Sequence, residues 1–188
     1  MYQKYTTHAV VLRIYERREA DVLVVLATKD FGVVYALAVG ARKESSRMRY
    51  AFVTSAYISI SLVKGKAGWR AVGAVSLSPA LSAPAIVGFA RVTRLVLRLV
   101  HGEHVDVDLY ETIVAAREAF GSVSVERRAL VELLIVARVL YTLGYLPQDS
   151  LTEALLSGAI TDTELTTTER EQTRLLGAVN TALSASQL

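Results

Sequence analysis

Between residues 6 and 77 the apolar positions fall in short runs that alternate with polar ones. After Pro84 they recur every three to four residues. The first texture belongs to β-strands and the second to helices. Residues 7–15 alternate, with His8, Val10, Leu12 and Ile14 on one face and Ala9, Val11, Arg13 and Tyr15 on the other. Residues 21–28 are apolar on both faces, as in a strand covered on both sides. Lys29-Asp30-Phe31-Gly32 then turns the chain into a strand over 33–39. Residues 55–63 send Ala56, Ile58, Ile60 and Leu62 inward and Ser55, Tyr57, Ser59 and Ser61 outward. A glycine-containing turn from Lys64 to Gly68 leads to a last strand over 69–77. Five short strands in about 70 residues fit a small closed barrel, because closure removes edges that aggregate. An OB fold is the first expectation and an SH3-like barrel the second; periodicity does not separate them.

The stretch from Ser76 to Pro84 holds two prolines and three serines and reads as a hinge. The expected fold class is therefore α+β. A five-stranded OB-fold barrel over residues 1–80 is followed by an all-α helical bundle over 81–188. Residues 84–100 place Phe89, Val92, Leu95, Val96 and Leu99 at helical spacing, with Arg91, Arg94 and Arg98 along one side. That arginine stripe reads as a solvated face, ahead of the alternative that it extends a nucleic-acid path. Asp108-Leu-Tyr-Glu111 has the spacing of a capping box opening a helix to about residue 120. Ser124 is expected to cap a helix over 125–143, apolar around most of its circumference and so central to the bundle. Residues 161–168, rich in Thr, read as a loop, and Thr168-Glu-Arg-Glu171 as the start of a final helix to about residue 182. Asp162, Glu164 and Glu169 read as dipole and solubility charges.

Charge adds a partner to this picture. Net charge is only +3, but residues 1–80 carry twelve basic against five acidic groups, leaving the remainder at −4. In an OB fold the loops joining strands 1 to 2 and 4 to 5 flank the nucleic-acid groove. The first holds Arg17 and Arg18. The second holds Lys64 and Lys66, with Trp69 and Arg70 just beyond. The connection after strand 3 adds Arg42, Lys43, Arg47 and Arg49. Three basic loops make an electrostatic funnel for a phosphate backbone, and Tyr57, Trp69 or Tyr50 would stack bases. The alternative is that these cations are ordinary solvated turn residues and that Trp69 fills the barrel mouth.

Composition excludes more than it proposes. The chain's 188 residues, 52% hydrophobic with a mean hydropathy of +0.35, suffice for one domain or two small ones with a real core. Without cysteine there are no disulfides, thiolate metal sites or thiol nucleophiles. His101-Gly-Glu-His104, followed by Asp106 and Asp108, lacks the ordered spacing of a zinc motif. No P-loop and no Gly-x-Ser-x-Gly elbow is present. Neither catalysis, metal nor cofactor is expected. The uncharged stretch 71–90 is long enough for a bilayer, but its prolines, glycines and serines argue against a membrane helix. The start shows no signal peptide, so the expectation is a soluble, cytoplasmic, nucleoid-associated protein with no membrane partner.

An ordered series of residues resembles the RecO family of bacterial recombination mediators. It runs Val11-Leu-Arg13, Glu19-Ala-Asp21, Thr28, Gly32, Gly40-Ala-Arg-Lys43 and Ser46-Arg47, then Leu97-Arg-Leu-Val-His-Gly-Glu103, Asp108-Leu-Tyr110 and Leu140-Tyr-Thr-Leu-Gly-Tyr-Leu-Pro147. The resemblance implies an OB domain followed by a helical domain. It implies non-enzymatic binding of single- and double-stranded DNA, annealing of complementary strands, and help for RecA in displacing single-strand-binding protein. RecR and single-strand-binding protein are the implied partners, in the RecFOR repair pathway. Arg42, Lys43 and Arg47 match the family's basic loop. Many members continue after Gly-Tyr-x-Pro into a four-cysteine zinc module; here Gln148-Asp-Ser-Leu-Thr follows, so that module is expected to be cut down or lost and zinc absent. Two alternatives stay open: a protein-docking adaptor of the repair machinery with little DNA binding, and an OB-type RNA-binding factor.

Overall fold

A computed structural model of the chain describes residues 3–100, 102–147, 149, 153–156 and 158–185. His101 lies outside these, as do Gln148, Ser150, Leu151 and Thr152 of the stretch after Pro147. Two compact units form: Met1–Leu81 with Val100–Val107, and Ser82–Leu99 with Asp108–Leu188.

The first unit holds β1 (Lys4–Arg17), β2 (Asp21–Thr28), β3 (Gly32–Ala38), β4 (Tyr57–Gly65) and β5 (Gly68–Ser78). They close into a barrel in the order β1-β2-β3-β5-β4, with β4 returning to β1. All pairings are antiparallel except a short parallel contact in which Ala36 meets Trp69 and Leu37 meets Arg70. This is the OB fold, and the SH3-like alternative falls away. One long strand closes it: the N-terminal half of β1 pairs with β4 and the C-terminal half with β2.

A bulge between Val11 and Arg13 makes that double pairing work, since an extra residue bends the strand. It also corrects the expected faces. Ala9 and Val11 pack in the barrel core before the bulge and Ile14 packs against that core after it. Val10, Leu12, Arg13 and Tyr15 belong to the other side. β4 keeps its expected alternation, with Ile58, Ile60 and Leu62 fully buried. Ser55 does not: it is buried rather than outward, at φ +71°, and its Oγ accepts from the Leu81 N–H at 2.8 Å. A hydroxyl there satisfies a backbone donor that burial would otherwise orphan.

The second unit contains α1 (Ala83–Leu99), α2 (Val107–Ser122), α3 (Arg128–Thr142), α4 (Glu153–Leu156), α5 (Asp162–Arg170) and α6 (Gln172–Ala185). As expected, α3 is central. Val131, Leu134, Ile135, Val139 and Leu140 are fully buried, and α1, α5 and α6 pack around it. Gly88 on α1 leaves room for the buried Phe120 of α2; a Cβ there would stand 2.4 Å from its ring.

Three helix starts differ from expectation. Helix α2 opens at Val107, so Asp108 lies inside the first turn, where a carboxylate meets the positive helix end. Helix α3 begins at Arg128 with Arg127 as an N-cap lacking a side-chain cap bond, while Ser124 bonds the Glu126 carboxylate and holds its pKa below the usual value. Residues 162–168 are helical rather than looped, because Thr161 and Glu164 form a reciprocal capping box. Thr166, Thr167 and Thr168 then return their hydroxyls to the carbonyls four residues back, which lets a threonine run stay helical. The uncharged stretch 71–90 divides between β5 and α1, and no helix among the described residues is long and apolar enough to cross a membrane.

Candidate nucleic-acid interface

The turn between β1 and β2 carries Arg17 and Arg18 exposed, with Arg18 at φ +48°. Asp21, at the start of β2, accepts the Gly40 N–H on its carboxylate at 2.8 Å, and the Arg42 N–H donates to the Ala20 carbonyl at 3.0 Å. These two bonds lash the start of the β3–β4 loop onto the β1–β2 turn. Arg17, Arg18, Arg42 and Lys43 are thereby gathered at one end of the β2–β3 pair. Arg42 also donates to the Glu16 carboxylate at 2.9 Å, a solvent-exposed ion pair.

Farther along the β3–β4 loop, Met48 packs against the barrel core and Phe52 within it, while Arg47 and Arg49 stay exposed. The Arg49 guanidinium lies 5.9 Å from the ring centroid of Tyr50, which is 78% exposed.

In the β4–β5 hairpin, Trp69 packs 5.1 Å from Phe31 and 5.8 Å from Tyr5, by centroids. That brings the Trp69 ring beside the β2–β3 turn, while strand register sets the Trp69 backbone against Ala36 and Arg70 against Leu37, three residues short of Gly40. Three residues of chain, roughly 10 Å at 3.3 Å per residue, separate the level of Arg70 from Gly40. Two basic loops therefore share a location, and the start of β5 brings Arg70 toward them while Lys66 lies in the turn before it.

Two sequence candidates change character. Trp69 is only 6% exposed and fills the barrel end, so no face of its ring is open to a base. Lys64 has its ammonium 5.1 Å from that ring and 2.5 Å from the Glu103 carboxylate, so its charge is already matched. Lys66 and Arg70 remain exposed, Arg70 pairing with Leu37 across the parallel contact. Tyr57 is half-buried at the start of β4, edge-on to His8 at 5.8 Å, seven residues from Lys64 and thus far from the hairpin.

The outward positions of β1 and β3 add residues that periodicity missed. Arg13 and Tyr15 fall outward only once the bulge is known, and Tyr35 is 48% exposed on β3. An aromatic flanked by strictly apolar neighbours, as in Val33-Val-Tyr-Ala-Leu37, was the available signal for Tyr35. Among the described residues no group of His, Asp and Glu is placed to hold a metal ion.

Residues 1–76 match the family described as recombination protein O N terminal. A curated relative, the DNA repair protein RecO of Heliobacterium modesticaldum, is 29% identical over 159 residues. That alignment covers 78% of this chain and 54% of the relative, so the chain spans about half the relative's length. The family match thus takes in the barrel as far as β5, and the likeness to the relative runs on into the helical unit.

Proposed function

We propose that the chain is a DNA-binding recombination mediator of the repair machinery. Residues 1–80 act as its nucleic-acid-binding OB domain and 81–188 as the family's helical domain without a zinc module. On this reading it binds single- and double-stranded DNA, anneals complementary strands and helps RecA load onto DNA coated by single-strand-binding protein, with RecR as a further partner. It works by binding rather than catalysis, in the cytoplasm, and needs no cofactor. One observation carries this: on an OB barrel that matches this family, Arg17, Arg18, Arg42 and Lys43 are lashed together beside the β2–β3 strands. Arg47, Arg49, Lys66 and Arg70 extend the positive rim.

The test is fluorescence anisotropy of a labelled single strand over a range of salt. Each phosphate neutralised on a single strand contributes a slope of about −0.7 in log affinity against log salt. Replacing Arg42, Lys43 and Arg47 together by Ala should flatten that slope by about two and weaken binding tenfold or more at low salt. An unchanged slope would remove these residues from the interface. The wild-type chain failing to bind at low salt would favour the adaptor reading, to be pursued by pull-down of RecR and single-strand-binding protein. The engagement of Arg42 by Glu16 and of Lys64 by Glu103 is the observation on that side.

Glu16 supplies a prediction of opposite sign. Exposed ion pairs are worth about 0.2–1 kcal/mol, and Glu16 both holds Arg42 and repels phosphate. Glu16→Gln should therefore raise single-strand affinity about two- to fivefold at low salt, fading as salt screens the charge. Anisotropy at two salt concentrations reads this directly.

A further inference from the structure

Two tyrosines stand on the outer face of the barrel on either side of β2. By strand register Tyr15 lies across from Leu23, Leu23 across from Leu37, and Leu37 across from Arg70. One step along, Arg13 lies across from Val25 and Val25 across from Tyr35. The alternate residues of these strands, including Ile14, Val22, Val24, Val34 and Ala36, pack in or against the barrel core, so the tyrosine set faces away from it. Tyr15 is 38% exposed and Tyr35 48%, and the Arg13 guanidinium lies 4.9 Å from the Tyr15 ring centroid. Leu23 and Leu37 form a half-buried apolar floor between them.

Resting on the nucleic-acid reading above, we infer that Tyr15 and Tyr35, with Arg13, form a base-stacking platform that admits unpaired strands and not duplex. Two strand spacings and two residues separate the tyrosines, about 12 Å between backbones. Successive bases of a duplex are about 3.4 Å apart along each strand and cover one another's faces. A duplex thus has no free base face to offer rings so widely spaced, whereas an unpaired strand splays its bases apart and exposes both faces. Arg13 adds a planar cation that stacks on a base as it now lies over Tyr15. The basic residues at the loop end hold phosphate from either form of DNA; the tyrosines discriminate between them.

The experiment compares the full chain with Tyr15→Ala/Tyr35→Ala and Tyr15→Phe/Tyr35→Phe, using labelled oligo-dT and a labelled duplex of equal length at one salt concentration. The alanine pair should lose about tenfold or more in oligo-dT affinity, with duplex affinity changed less than about twofold and the salt slope unaltered. The phenylalanine pair should bind as the unaltered chain does, since the ring and not the hydroxyl stacks. Equal losses on both DNAs, or none on oligo-dT, would overturn the inference while leaving general DNA binding standing. Absence of DNA binding by the unaltered chain would instead overturn the reading on which it rests. Thermal unfolding of each variant checks that both pairs remain folded.

Discussion

Arg138→Ala is expected to destabilise the helical unit by about 3–5 kcal/mol, through buried carbonyls left without donors and the cavity that the side chain vacates. Arg138 sits on the central helix α3 at 1% exposure. Its Nε donates to the Leu155 carbonyl at 2.6 Å and its Nη1 to the Gly158 carbonyl at 2.7 Å. Leu155 lies in the four-residue helix α4 and Gly158 follows it at φ +83°. Carbonyls at a helix end have no intrahelical donors and favour a cation. Burial draws the guanidinium pKa down and the Glu164 carboxylate offsets part of that, so an arginine stays charged where a lysine would tend to neutralise. Truncation leaves carbonyls without these donors, each costing about 1–3 kcal/mol if buried, and opens a cavity. Arg138→Lys should recover only part of the loss, having no planar fork to span two carbonyls. Urea unfolding measures both variants, and a cost below about 1 kcal/mol for Arg138→Ala would show that the segment after Pro147 is not held by this residue. Arg174 ties the same stretch to α6 through the Asp149 carbonyl at 3.2 Å. Side-chain-to-backbone bonds thus fasten the described part of this stretch to the bundle.

Strand number and the inward set of β4 were legible because period-two alternation needs no knowledge of partners: Ile58, Ile60 and Leu62 must hide together. Alternation fails wherever an extra residue is inserted. The bulge at Leu12 leaves no mark in composition, so Ile14 was paired with the wrong face and Arg13 and Tyr15 were left out of the interface. The same blindness applies to loops. The sequence shows that Arg42 and Lys64 are basic, but not that Glu16, distant by 26 positions, and Glu103, distant by 39, come back to meet them. Trp69 was ambiguous for a related reason, since a large aromatic beside a glycine turn suits either a stacking surface or a plug. Its contacts with Tyr5 and Phe31, both far off in sequence, decide for the plug. In the helical half the miss was local. Thr161-Asp-Thr-Glu164 carries the capping-box signature in plain view, but the threonines that follow have low helix propensity and outweighed it.

Gly32→Ala is the second change with a large expected effect, and it separates what a sequence reveals about a glycine from what it conceals. Gly32 opens β3 at φ +67°, a left-handed conformation that costs an L-residue about 1–2 kcal/mol. That demand was readable from its place in a tight turn. The second demand was not. A Cβ at Gly32 would lie 2.0 Å from the carbonyl oxygen of His104 and 2.7 Å from its carbonyl carbon, in the segment that joins the barrel unit from beyond α1. Backbone cannot swing aside as the end of a flexible side chain does, so an overpacking cost of about 1–3 kcal/mol adds to the first. Gly40 provides the control. It has nearly the same φ, +66°, but a Cβ there would meet only the Lys43 side chain at an ordinary 3.5 Å. Gly40→Ala should thus report the dihedral cost alone, and the difference between the two variants isolates the collision with His104. Urea unfolding should place Gly32→Ala about 2–5 kcal/mol below the unaltered chain and Gly40→Ala no more than about 2 kcal/mol below it. Hydrogen exchange should show protection lost first around residues 102–107 in Gly32→Ala and not in Gly40→Ala. Equal destabilisation by the two substitutions would mean that the 102–107 segment is free to yield, and that Gly32 is required by its turn and by nothing else.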